Sequence, residues 1–302
     1  MYDREMPSRK AALLASFAML ASAETAVTRL WQDKLEEKLR LIDHSLNGAL
    51  GVAAIDLVSG KTILYNADVR FPTASSIKIA IMIQLFRDEH AGRTHFTDSV
   101  KLTPKDNAGG SESPLQTELD KGATVTLTVH DLLENMIVYS DNSATNKLID
   151  VVTMERVNAL VRSFGLYDTA LRRKMMDTAA AANGNENIST PLGLATLVRM
   201  IYDGSAADAE SCHAMLELMK KVNNGYMRAA LPPGTVIASK PGDLDGVRCE
   251  AALILLPKRP FVVTVMSSWL DDGVNPVPDA TRAVYQYFFK LADSNEWGRR
   301  LD

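Results

Sequence analysis

The sequence predicts an α+β fold in which one sheet draws strands from both ends of the chain and an all-helical region is inserted between them. Three observations predict it: alternating apolar runs near residue 50, a long middle with helical spacing of apolar residues, and a return of short apolar strands after residue 234. The first runs, residues 51–57 and 62–65, are joined by Ser59-Gly60 and read as a β-hairpin. Helical spacing follows at residues 77–86, 129–138, 144–152, 154–164, 191–202 and 208–221, each giving a helix one buried face. Strands return at 236–239, 249–256 and 261–269, with 257–260 as a turn, and a last helix covers 279–292. Strands from opposite ends share a sheet only if the middle folds as an insertion, so a cleft is expected where the two parts meet. The boundaries are 1–23 for a leader or N-terminal helix, 24–70 with 225–302 for the sheet part, and 71–224 for the helical part. Residues 177–187, rich in Ala and Asn without periodicity, read as a long functional loop.

Composition narrows the function classes. With 302 residues, 46% of them hydrophobic, the chain buries a large core. A net charge of -4, with both signs mixed along the chain, leaves no footprint for nucleic acid or an anionic membrane, and neither is expected as a partner. No run of about 18 uninterrupted apolar residues occurs, so stable membrane insertion is not expected. Cys212 and Cys249 lack the close spacing of a zinc or redox pair and the five histidines are scattered, so no metal or other cofactor is expected. A single disulfide between the two cysteines stays open. Arg9 and Lys10 precede an apolar run, residues 11–23, that ends in Ala21-Ser22-Ala23, a pattern for signal-peptidase cleavage before Glu24 and for a periplasmic or secreted protein. The alternative is a structural N-terminal helix in a cytoplasmic protein, which Asp3 and Glu5 favour.

Three short motifs carry chemistry. Ser75-Ser76-Ile77-Lys78 opens an apolar helix, and its spacing puts a hydroxyl and an amine on one face, one turn apart. A serine hydroxyl needs a base to become a nucleophile, and a lysine serves once burial and nearby positive charge lower its pKa. The plain alternative is an N-cap serine beside a solvated lysine. Ser140-Asp141-Asn142 lies between two helices, where it caps the second and also offers a hydroxyl and an amide to a substrate. Lys240-Pro241-Gly242 sits in a strand whose proline marks a sheet edge and whose glycine lets a ligand lie close to the backbone, with Arg248 eight residues after the lysine.

Taken together and in this order, S-x-x-K, S-D-N and K-x-G resemble the motif set of the class A β-lactamases and penicillin-binding proteins. The likeness extends through Arg70-Phe71-Pro72, Gly110-Ser111, residues 127–133 and 136–146, and Thr190-Pro191, covering nearly all of the chain after its N-terminal segment. It implies a five-stranded antiparallel sheet flanked by helices, with an all-helical domain, in a monomer acting on a small-molecule β-lactam or a related acyl substrate. By position it implies that Ser75 is the acylated nucleophile, with its own N–H and that of Asp243 as oxyanion hole, and that Lys78 is the general base. It further implies that Ser140 passes a proton to the leaving nitrogen and that Asn142 binds the substrate's side-chain amide. Lys240 would order charge around Ser140 and the substrate carboxylate, with Gly242 and Arg248 beside it, and Asn146 would steady the long loop.

Departures from the pattern cluster in the hydrolytic half. The family's loop carries a glutamate two residues after an arginine, to activate the water that releases the acyl group. Here, with Arg173 in the arginine's place, Met175 falls where the glutamate belongs, and a thioether cannot deprotonate water. Asp177 is the nearest carboxylate able to act as base, unless it only caps or orders the loop, and Glu186 is a more remote candidate. Pro241 replaces a hydroxyl residue and removes a backbone donor, and the turn before Arg248 is about one residue short. Three functions are therefore open: a slow β-lactamase, a serine hydrolase of another acyl compound such as a D-Ala peptide or ester, and a non-catalytic binding protein.

Overall fold

The computed structural model describes residues 25–301. The proposed cleavage site before Glu24 lies outside the described residues. In chain order the strands are β1 (Ala49–Asp56), β2 (Thr62–Tyr65), β3 (Phe71–Pro72), β4 (Ser99–Leu102), β5 (Val125–Thr128), β6 (Ile188–Ser189), β7 (Ile237–Leu244), β8 (Val247–Ile254) and β9 (Phe261–Ser268). The α-helices are α1 (Ala26–His44), α2 (Lys78–His90), α3 (Pro114–Asp120), α4 (Val129–Val138), α5 (Asn142–Val152), α6 (Met154–Ser163), α7 (Thr178–Ala182), α8 (Pro191–Tyr202), α9 (Ala209–Lys220) and α10 (Val277–Ala292).

β1, β2, β7, β8 and β9 form one antiparallel sheet in the order β2-β1-β9-β8-β7, as the family resemblance implied. The hairpin β1–β2 pairs Val52 with Tyr65, and β9 joins it to the C-terminal strands by pairing Ala49 with Ser268. Pro241 lies in β7, an outer strand of the sheet, where its missing N–H costs no ladder bond on the open side. β1, β8 and β9 are buried nearly throughout because both faces of the sheet are covered.

Each face has its own apolar cluster. On one, Ala53, Ala238, Cys249, Ala251 and Leu253 pack with α2, α4, α5, α8 and α9. On the other, Leu50, Val52, Ala252, Val263 and Val265 pack under α1 and α10, with Phe261 stacked on Phe288 at 4.3 Å between centroids. α2 is apolar on nearly every side and runs through the first cluster, with Ile79, Ala80, Ile81, Met82 and Ile83 all fully buried. This fixes the start of α2, and with it Ser75 and Lys78, against the sheet.

Sequence reading missed several elements. α1 was not foreseen, nor were α3, α7 and the two-stranded ribbons β3–β6 and β4–β5. The ribbons are two to four residues per strand, too short for an alternation to register. Cys212 and Cys249 are both buried free thiols, so the disulfide left open from sequence does not form. No helix among the described residues is long and apolar enough to cross a membrane.

Candidate active site

The three motifs converge on a cleft of about 550 Å³. Ser75 lies in a single 3-10 turn, Ala74–Ile77, that leads into α2, and Ala74 before it takes a positive φ of 45°. An alanine in that region is strained, and the packing around α2 holds it there. Gly242 explains how close the strand comes: a Cβ at this position would stand 2.7 Å from the Thr73 carbonyl oxygen and 2.9 Å from the Ser75 nitrogen. Only glycine allows β7 to lie against the nucleophile turn.

Beneath the cleft lie two lysines, Lys78 and Lys240, both with 0% exposure. The Lys78 ammonium, or amine, donates to Ser140 O at 2.8 Å, Ser140 Oγ at 3.1 Å and Asn142 Oδ1 at 3.2 Å. Lys240 Nζ donates to the same Ser140 Oγ at 3.0 Å and to Pro241 O at 3.1 Å. Ser140 therefore bridges the two nitrogens. Its own φ of 57° turns the hydroxyl and carbonyl inward together. Burial pushes Lys78 well below its ordinary range, and the charge of Lys240 pushes it further, with Asp141 opposing. Burial also lowers Lys240, to about 7, against the raising pull of Glu250 and Cys249. Lys78 therefore gives up its proton more readily than an ordinary lysine, and near pH 7 Lys240 is poised between its two forms.

Ser140-Asp141-Asn142 caps α5 as foreseen and brings its hydroxyl and amide to the cleft. Asp141 is the N-cap of α5, accepting from Ala144 N at 2.6 Å, and its other oxygen accepts a short bond from Ser113 Oγ. Asn142 lines the cleft and donates Nδ2 to Gly109 O at 3.0 Å and Gly110 O at 3.3 Å. Asn146, one turn further on α5, holds the long loop by its backbone: its Nδ2 donates to Met175 O at 3.1 Å and its Oδ1 accepts from Met175 N at 2.7 Å. Met175 so held lines the cleft, and Arg173 two residues earlier pairs with Glu186 at 2.8 Å.

Two sequence-based candidates lie elsewhere. Asp177 is exposed, caps α7 by accepting from Ala180 N at 2.9 Å, and does not line the cleft, so the capping alternative describes its position. Glu186 is committed to Arg173. Arg248 also stands outside the cleft lining: its Nη1 donates to Leu244 O and Val247 O, each at 2.8 Å, and lies 3.0 Å from Asp243 Oδ1. Ser75, Ser140, Asn142, Gly242 and Asp243 do line it.

Three contributors had gone unnoticed. Asn187 lines the cleft and reads the loop backbone, accepting from Arg172 N at 2.7 Å and Arg173 N at 3.0 Å and donating to Arg173 O at 3.1 Å. Tyr226 lines it from the segment before β7 and donates a short hydrogen bond to Asp243 Oδ2. Burial, with the Asp243 carboxylate, pushes its phenol well up, so it stays a donor. Glu250, fully buried, accepts from Met227 N at 2.8 Å and so anchors the segment carrying Tyr226. Burial raises its pKa. No signal near Tyr226 in the sequence marks it, since its role depends on that anchor. Among the described residues no group of three or more His, Cys, Asp or Glu could hold a metal ion.

Comparison with known proteins agrees with this geometry. A β-lactamase from Streptomyces fradiae is 30% identical over 270 residues, covering 85% of each chain. The crystal structure of a β-lactamase from Sphaerobacter thermophilus superposes with a TM-score of 0.76 at 34% identity, covering 84% of this chain and 96% of that one. PBP-A superposes with a TM-score of 0.77 at 26% identity, covering 87% and 97%, and a mutant of PBP-A is known as an acyl-enzyme complex with penicillin G. The sequence also matches the family described as "Beta-lactamase enzyme family" across residues 34–288. With a buried lysine pair flanking a serine bridge at the foot of its cleft, this chain belongs to the β-lactamase enzyme family, on its class A serine side.

Proposed function

We propose that the protein opens β-lactams by forming an acyl-enzyme on Ser75 and releases the product slowly. The observation that carries the slow release is Met175, clamped by Asn146 and turned to the cleft where a water-activating carboxylate would be needed. In the first half-reaction Ser75 Oγ attacks the carbonyl carbon while the neutral amine of Lys78 takes its proton. The N–H groups of Ser75 and Asp243 receive the developing oxyanion. Ser140, held between Lys78 and Lys240, passes a proton to the leaving nitrogen as the ring opens, and Asn142 offers its amide to the substrate side chain. In the second half-reaction water must lose a proton as it attacks the ester, and the thioether of Met175 accepts none.

Intact-protein mass spectrometry after mixing with benzylpenicillin tests both halves. Wild type is expected to gain the penicilloyl mass within minutes and to keep it, while Ser75→Ala stays unmodified. Met175→Glu is expected to shorten the adduct lifetime by about 10²- to 10⁴-fold, the range of a placed general base. Rapid loss from wild type would overturn slow release, and no adduct at all would overturn the acyl-enzyme. Met175 and Pro241 also favour a second reading, turnover of another acyl compound such as a D-Ala peptide or an ester; steady hydrolysis of a p-nitrophenyl ester, lost in Ser75→Ala, would support it. The basic pair Arg9 and Lys10 before the apolar run 11–23 supports action outside the cytoplasm, and N-terminal sequencing of exported material checks it.

A further inference from the structure

A β-lactam or D-Ala peptide carries a carboxylate beside its scissile bond, and that group needs a cation or N–H donors to replace its water. The β7 side of the cleft offers few. Pro241 has no N–H and no hydroxyl. Lys240 lies fully buried, donating to Ser140 and Pro241, and with its pKa near 7 it is largely uncharged at slightly alkaline pH. Arg248 is turned away: its Nη1 is taken by two backbone carbonyls and by Asp243. What β7 presents instead is the carboxylate of Asp243, 55% exposed, beside the nucleophile turn. Tyr226 donates to one oxygen of Asp243 and Arg248 pairs with the other, so the carboxylate is held in place. Glu112, exposed, adds a second acid to the rim. The one cation lining the cleft among the described residues, Arg173, is paired with Glu186.

We infer that Asp243, braced by Tyr226 and Arg248, makes this cleft favour β-lactams and related acyl compounds whose carboxylate next to the scissile bond is masked or absent over those in which it is free. The inference rests on the acyl-enzyme reading above and deepens it by naming the substrate class. The Asp243–Arg248 pair turns its negative end to the cleft, so its residual field repels an anion, and the arginine that would have bound a carboxylate is spent on Asp243 itself.

Benzylpenicillin and its methyl ester differ only in this charge and serve as the probes, at pH 7.5. Binding of each to Ser75→Ala, which forms no adduct, is measured by competition with a fluorescent ligand, and adduct formation on wild type is followed by mass. The ester is expected to bind about tenfold more tightly than the acid and to acylate faster by a similar ratio. Adding Asp243→Asn should bring the ratio close to one. Adding Arg248→Gln, which leaves the carboxylate unpaired, should widen it. An acid that binds as well as the ester, or a ratio that Asp243→Asn leaves in place or Arg248→Gln narrows, overturns the inference. If wild type is acylated by neither probe while Ser75→Ala still prefers the ester, the selectivity stands and the acyl-enzyme reading falls.

Discussion

Ser140 Oγ receives a hydrogen bond from each of two buried amines, and the different environments of those amines divide their duties. Lys78, lowered by burial and by its neighbour's charge, is readied to accept a proton; Lys240, lowered to about 7, still carries charge on the acid side. The sign of the pH effect follows. Below pH 7 Lys240 is protonated and attracts whatever anionic group a substrate brings; above it the proton leaves and that attraction is lost. The Kd of Ser75→Ala for benzylpenicillin is therefore expected to rise on the order of tenfold between pH 6 and pH 8, while that for its neutral methyl ester stays flat. A flat profile for the anionic substrate would show that Lys240 holds one charge state throughout. That Lys78 and Lys240 belong together was legible from sequence, because each sits in a motif with a fixed partner. That Tyr226 braces Asp243 was not, because the contact depends on a buried glutamate, Glu250, 24 residues away from the tyrosine in the chain.

Between α6 and α8 the chain runs with little regular structure, and asparagines from outside and inside the loop replace the missing backbone partners. Asn158 on α6 exchanges two hydrogen bonds of 2.8 Å with the backbone of Leu171, Asn146 on α5 does the same with Met175, and Asn187 bridges Arg172 and Arg173. Each amide both donates and accepts, as a strand neighbour would. The Arg173–Glu186 pair closes the loop on itself, with the arginine side chain 8% exposed. This network explains why Asp177, one carboxylate close in sequence to the expected base, ends up outside: the backbone is pinned at Met175, Met176 takes a positive φ of 61°, and the chain turns out to start α7. Sequence spacing shows a carboxylate nearby but not the clamps that decide where it points. Arg173→Ala should leave Glu186 without its cation and loosen the loop by about 1–3 kcal/mol. Hydrogen exchange at residues 171–188 is the measurement: these amides should exchange roughly 10- to 100-fold faster, while those of β8 and β9 keep their wild-type rates.

At the scale of the whole molecule, the sheet separates chemistry from support. One face meets the helices whose connecting segments carry Ser75, Ser140 and Met175; the other is closed by α1 and α10, the first and last α-helices among the described residues, whose apolar sides meet along Trp31 and Tyr287. Strands from both ends of the chain were legible as a shared sheet because β1, β8 and β9 are long and apolar. α1 was hidden because only a narrow stripe of it is fully buried: Leu35 and Leu39 face the sheet, while the remainder mixes charged residues with half-buried or exposed apolar ones such as Trp31 and Leu30. Yet without α1 one side of β1 and β2 would meet water, so the helix belongs to the stability of the sheet and not to the site. The consequence is testable as a dissociation between folding and chemistry. Leu39 is fully buried, and Leu39→Ala should cost about 2–5 kcal/mol. At roughly 2–4 °C per kcal/mol for a chain of this class, Tm should fall by about 4–20 °C. Leu30, on the same helix but 62% exposed, should change stability by less than about 0.5 kcal/mol when cut to alanine. At 20 °C both variants should acylate at the wild-type rate, because the damage lies on the opposite face from Ser75. Equal losses of Tm in the two variants would mean that α1 does not dock through its Leu35–Leu39 side, and a slowed acylation in Leu39→Ala alone would mean that the sheet transmits strain to the nucleophile turn.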